Sequence, residues 1–152
     1  MMDIQLELYM SAKLVLAAFL GGIIGLERER EQQNTGLRTF ACICAASCLF
    51  VSIAAHLTED VSAVARMLAA IATGLGFIGA GIIFRDQRNL PKGITTAAGL
   101  WTTSAVGMAV ALDMLVIAVS ATLIILLIFS INHFSWYRRL VDRLIKSKKR
   151  TN

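Results

Sequence analysis

Long apolar runs separated by short charged stretches dominate the chain. Five of them, at residues 6–26, 39–57, 65–84, 95–109 and 114–132, approach the roughly 20 residues an α-helix needs to cross a bilayer core. The fourth is the shortest. Residues 95–132 are too long for one crossing at 1.5 Å per residue and contain a single charge, Asp113, so a turn is placed at residues 110–113. The pattern predicts an all-α integral membrane protein: a bundle of about five transmembrane helices over residues 1–133, then a basic amphipathic tail over 134–152. In the tail Trp136, Tyr137, Leu140, Val141, Leu144 and Ile145 recur at helical spacing while Arg138, Arg139, Asp142, Arg143 and Lys146 fill the other face. Such a helix lies in the membrane interface, with Trp136, Arg138, Arg139, Arg143 and Lys146 against lipid headgroups.

Composition agrees. Of the 152 residues 57% are hydrophobic and 16% charged, with a mean hydropathy of +0.68, above the apolar share of soluble domains. Thirteen of the fifteen basic residues fall after the first span, after the third, and in the tail. By the positive-inside rule those segments are cytoplasmic, the N-terminus is outside, the C-terminus is inside, and the number of spans is odd. The net charge of +5 follows from that asymmetry and does not point to nucleic acid. Asp3 and Glu7 precede the first apolar run without a basic residue, unlike a signal peptide, so the first helix is expected to be retained.

Small residues recur at helical spacing. Ala17, Gly21 and Gly25 form a ladder on the first helix, Ala70 with Gly74 and Ala72 with Gly76 and Ala80 on the third, and Gly99, Thr103 and Gly107 on the fourth. In lipid such ladders let helix backbones approach closely, so Gly74, Gly76, Gly79, Gly81, Gly99 and Gly107 are assigned to packing and the first-helix ladder to a homodimer face. Residues 74–79 match GxGxxG, but they lie inside an apolar run without the strand and downstream acid that a dinucleotide turn requires. Glycine-rich backbone lining a cavity is the alternative. Cys42, Cys44 and Cys48 also sit in an apolar run and read as packing residues. No nucleophile is paired with a base, and His56 and His133 fall at opposite faces, so neither an enzyme nor a cofactor is expected.

Charged residues near the spans are the candidate functional groups. Leu26 is followed by Glu27, Arg28, Glu29, Arg30 and Glu31, and Gly36-Leu37-Arg38-Thr39 begins the second run. Glu29, Arg30 and Glu31 read as a solvated helix end. Glu27 and Arg28 lie nearest the hydrocarbon boundary, where a charge needs a partner, and Arg38 and Arg85 share their level. Glu27 is therefore expected to accept hydrogen bonds from Arg38 or Arg85. Lys13, inside the first run, is expected to snorkel outward; Arg66, at the outer start of the third, is similarly placed.

Several blocks together resemble the MgtC/SapB family: Gly21-Gly22-Ile23-Ile24-Gly25-Leu26-Glu27-Arg28-Glu29, Gly36-Leu37-Arg38-Thr39, Arg66 before Thr73-Gly74-Leu75-Gly76-Phe77-Ile78-Gly79-Ala80-Gly81, and Gly93-Ile94-Thr95-Thr96-Ala97-Ala98 with Leu100-Trp101 and Gly107-Met108-Ala109. The resemblance implies a multi-pass bacterial inner-membrane protein associated with growth at low magnesium and survival inside host cells. It gives weight to a polar cluster of Glu27, Arg28, Arg38, Thr39, Arg66 and Arg85. Ala70, Ala46, Ala111 and Asp113 depart from the family pattern. Longer members carry a soluble C-terminal domain, so regulation through one is expected to be absent here or supplied by another protein. The implied function is a regulator or interaction protein, whose partners are membrane lipids, a second copy or another membrane protein; the alternative is an oligomeric transporter or channel for magnesium or another ion. A magnesium pore would use Thr hydroxyls and backbone carbonyls, because no carboxylate lies mid-span where a hard cation wants oxygen ligands.

Overall fold

The computed structural model describes residues 4–33, 35–85 and 89–131. The interfacial tail, with Trp136, Arg138, Arg139, Arg143 and Lys146, lies outside the described residues, as does His133. Among the described residues five helices run in order: α1 (Ile4–Arg30), α2 (Leu37–Leu57), α3 (Val61–Ile82), α4 (Ile94–Ala111) and α5 (Leu115–Ser130). The first four are long and apolar enough to cross a membrane. Within the described residues α5 has sixteen residues, about 24 Å of helix. Between α3 and α4 two short strands, β1 (Phe84–Arg85) and β2 (Pro91–Lys92), pair antiparallel, an element the apolar pattern does not foreshadow.

Helix ends differ from the expected ones for local reasons. α1 continues past Leu26 to Arg30, so Glu27, Arg28, Glu29 and Arg30 form its last turn. Asp60 starts α3 four residues before the apolar run begins, because its carboxylate accepts from the Ser62 backbone N–H at 2.8 Å and satisfies an otherwise orphaned donor. The turn between α4 and α5 occupies Leu112 to Met114, with Asp113 in the left-handed region at φ 60°.

The helix whose run was shortest is the centre of the fold. α4 packs on each of the other four helices and buries Leu100, Thr103, Ser104, Val106 and Val110. A helix face covered by protein need not be apolar, so it can carry hydroxyls that lipid would penalise. Those hydroxyls are satisfied: Ser104 and Ser47 bond across α4 and α2 at 2.6 Å, and Thr103 donates to the Gly99 carbonyl at 2.8 Å. Cys44, Cys48, Phe40 and Val51 of α2 fill the rest of the core, and Phe40 meets Phe129 edge-on at 6.5 Å.

The small-residue ladders have different destinations. A Cβ at Gly21 would lie 2.6 Å from Cys44 Cβ, and one at Gly25 would lie 2.6 Å from Leu37 Cα; with Ala17 fully buried, this face of α1 is covered by α2 of the same chain. It is therefore unavailable as the homodimer face that the sequence suggested. Gly107 takes α4 against the Cys44 backbone, Gly99 lies under the Phe129 ring, and a Cβ at Gly79 would come within 3.3 Å of Ala97. A Cβ at Gly74, Gly76 or Gly81 would meet no other part of the chain within 4 Å among the described residues. Leu75 and Gly79 are the buried residues of α3, which leaves most of that helix uncovered.

Candidate functional site

Polar side chains gather at both ends of the bundle. At the end bearing the basic loops, the last turn of α1 reaches across to α4 and α5. Arg28 is 4% exposed. Its guanidinium donates to Glu31 Oε2 at 2.6 Å and to Thr96 Oγ1 at 3.2 Å, and it stacks over the Phe129 ring with Cζ 4.6 Å from the centroid. Among the described residues its Nε–H has no acceptor. Glu27, one residue earlier, accepts from Ser130 Oγ at 2.8 Å and lies 3.7 Å from Arg30. Adjacent residues of α1 thus hold both the start of α4 and the end of α5.

This arrangement redistributes the expected cluster. The described partners of Glu27 are Ser130 and Arg30, not Arg38 or Arg85. Arg38 and Thr39 instead line a cavity of about 570 Å³ with Glu29, Gln33 and Gly36, where Glu29 accepts from the Leu37 backbone N–H at 3.1 Å. Arg85 donates to Asn89 Oδ1 across the hairpin at 2.9 Å. Arg66 lies at the opposite end, bonded to Ser62 at 2.7 Å and 3.6 Å from Asp60. Glu29 and Glu31 are not merely solvated, since one caps α2 and the other is the counter-ion of a buried arginine.

At the end opposite the basic loops Lys13 reaches the turn between α4 and α5. Its side chain is 12% exposed and its ammonium donates to Asp113 Oδ2 at 2.7 Å and to the Ala111 carbonyl at 2.9 Å, which also caps α4. The ammonium lies 4.5 Å from the Tyr9 ring centroid, and the Tyr9 hydroxyl donates to Asp113 Oδ1. These two hydrogen bonds, Lys13 first and Tyr9 second, hold the Asp113 carboxyl below its usual pKa, because they favour the ionised form. Among the described residues no three His, Cys, Asp or Glu side chains converge as a metal-ligand set.

Sequence reasoning missed Glu31, Thr96, Phe129 and Ser130 in the first group, and the pairing of Lys13 with Asp113 in the second. A signal for that pairing was present: each is the lone charge of its kind in an apolar stretch, and a five-helix topology places both at one end.

The sequence model of the MgtC family matches residues 14–135. Among curated proteins the chain is 32% identical to the protein SrpB of Synechococcus elongatus, over 93% of this chain and 87% of SrpB. It is 35% identical to the putative magnesium transporter YhiD of Escherichia coli, over 83% of this chain and 61% of YhiD. It is 38% identical to the protein MgtC of Salmonella typhimurium, over 74% of this chain and 48% of MgtC. The chain thus spans most of SrpB but about half to three-fifths of the other two. No solved structure matches it. With a family match over most of its length and a bundle of apolar helices, the chain is a membrane protein that belongs to the MgtC family.

Proposed function

We propose that the chain is a non-enzymatic regulatory or interaction protein of the bacterial inner membrane, with its N-terminus outside and its C-terminus in the cytoplasm. It acts in magnesium homeostasis and in growth at low magnesium, and its partner is a second copy or another membrane protein. The observation that carries this reading is the division of labour among the glycines. Those of α1 and α4 are spent on packing within the chain, whereas Gly74, Gly76 and Gly81 leave open space on α3. Ala72, Gly76 and Ala80 recur at four-residue spacing there, a geometry that lets a neighbouring backbone approach closely and gain dispersion contacts. The homodimer face accordingly moves from α1 to α3.

Replacing Gly76 with Leu tests the reading. Among the described residues no other part of the chain lies within 4 Å of a Cβ placed there, so the melting temperature is expected to stay within the scatter of replicates. Dimers seen by mass photometry and complementation of growth at low magnesium should both fall. Lost growth with an intact dimer assigns the face to another membrane protein; retention of both refutes the reading. The transporter alternative draws on the relative named as a putative magnesium transporter, and it requires a path between copies because Phe40, Val51, Val106 and Leu100 fill the centre of one chain. Selective magnesium flux into proteoliposomes holding this protein alone would move that alternative to first place.

A further inference from the structure

At the end opposite the basic loops a cavity of about 360 Å³ opens beside Lys13 and Asp113, within the roughly 300–1,000 Å³ of small-molecule sites. Its polar lining comes from Tyr9, Lys13, Ser52, His56 and Asp113, and Leu6, Met10 and Leu112 supply an apolar wall. We propose that this cavity binds a zwitterion carrying a phosphate and a primary ammonium, the chemistry of a phosphoethanolamine headgroup, with the ammonium on Asp113 and the phosphate between Lys13 and His56.

Charge balance and hydrogen-bond capacity carry the proposal. An ammonium has three donors. Lys13 spends two, on Ala111 and Asp113, which leaves one. The Asp113 carboxylate offers about four lone-pair sites; Tyr9 and Lys13 take one on each oxygen, and 55% of the side chain is exposed. A simple anion entering here meets Asp113, and a simple cation meets Lys13. A molecule with both charges a few bonds apart satisfies the pair without an excess of either sign. Ser52 is 4% exposed, and its described side-chain contact is a long 3.9 Å approach to Cys48, so its hydroxyl adds donor and acceptor capacity.

Capping α4 accounts for the bond from Lys13 to Ala111 alone. It does not require a carboxylate at a left-handed position, nor Tyr9 holding that carboxylate's second oxygen. The surroundings suit a lipid: Leu57 beyond His56 is 77% exposed and Leu115 beyond Asp113 is 45% exposed, which gives acyl chains an apolar surface next to a polar seat.

The test uses the full chain in detergent, titrated with phosphatidylethanolamine, phosphatidylcholine and phosphatidylglycerol and read by native mass spectrometry. A hydrogen bond to a charged group is worth a factor of about ten or more in affinity, so phosphatidylethanolamine is expected to be retained about tenfold over phosphatidylglycerol. Phosphatidylcholine, which keeps the charge but cannot donate an N–H, should fall between them. Asp113→Asn tolerates the same backbone conformation and should erase the preference, whereas His56→Ala should weaken phosphatidylethanolamine and phosphatidylglycerol alike and leave their ratio standing. Equal retention of phosphatidylethanolamine and phosphatidylglycerol, or a preference unchanged in Asp113→Asn, overturns the proposal. If Asp113→Asn does not fold, competition decides: glycerophosphoethanolamine should displace the lipid and glycerophosphoglycerol should not, and displacement by both, or by neither, overturns it. Glycerophosphoethanolamine binding as tightly as the lipid identifies a free solute as the source, and weaker binding identifies the membrane.

Discussion

Removing the Arg28 guanidinium is expected to be among the costliest single changes in the protein. Its side chain is 5% exposed and that of its counter-ion Glu31 is 13% exposed, at 2.6 Å. Arg28→Met keeps most of the volume but leaves a nearly buried carboxylate without its cation and the Thr96 hydroxyl without its donor. Breaking such a pair from one side costs about 3–5 kcal/mol, and losing the stack over Phe129 adds about 0.5–2 kcal/mol. Glu31→Gln is milder, about 1.5–3 kcal/mol, because the amide oxygen still accepts while the charge assistance is lost. When both are changed no charge is stranded, so the double variant should be less damaged than the sum of the singles by about 1–3 kcal/mol. Reversible unfolding of the four proteins in mixed micelles measures the cycle. A parallel cycle of Glu27→Gln with Arg38→Gln should be additive within about 0.5 kcal/mol, since Glu27 is held by Ser130 and not by Arg38. An Arg28→Met cost under about 1 kcal/mol, or additivity in the first cycle, would refute the buried clamp.

Two further outcomes follow from other parts of the fold. Gly107→Ala drives a methyl into the Cys44 backbone, and because backbone cannot yield as a flexible side chain does, the melting temperature should fall by several degrees, the effect of about 1–3 kcal/mol of overpacking. Asp113 has a native pKa below its ordinary value, so its contribution to stability is present above the unfolded-state value of about 3.9 and is lost as pH falls through the lower native one. Thermal melts should therefore show an acid-side decline below about pH 4 that is smaller in Asp113→Asn than in the parent.

The apolar runs made the five helices legible because length and hydropathy are properties of one segment at a time. Positions that depend on a neighbour's azimuth were not. Gly21 announces a close approach but not whether the approaching backbone is α2 or a second copy, and it is α2. Thr96 looks like an ordinary residue near a helix start until Arg28, sixty-eight positions earlier in the chain, is seen to donate to it. Lys13 and Asp113 were each visible as an isolated charge in apolar surroundings, yet only the packing of α1 against the end of α4 makes them partners. Hydropathy also misranked the helices for a physical reason: it scores suitability for lipid, and α4, the least apolar of the four long ones, packs against each of the other four helices while α3 buries only Leu75 and Gly79. The run that looked weakest as a span is thus the one against which both polar clusters are built. Thr96 near its start anchors Arg28, and Ala111 at its end anchors Lys13. A disturbance of α4 would reach both membrane faces, whereas one confined to α3 would alter what the chain can touch and leave the bundle standing.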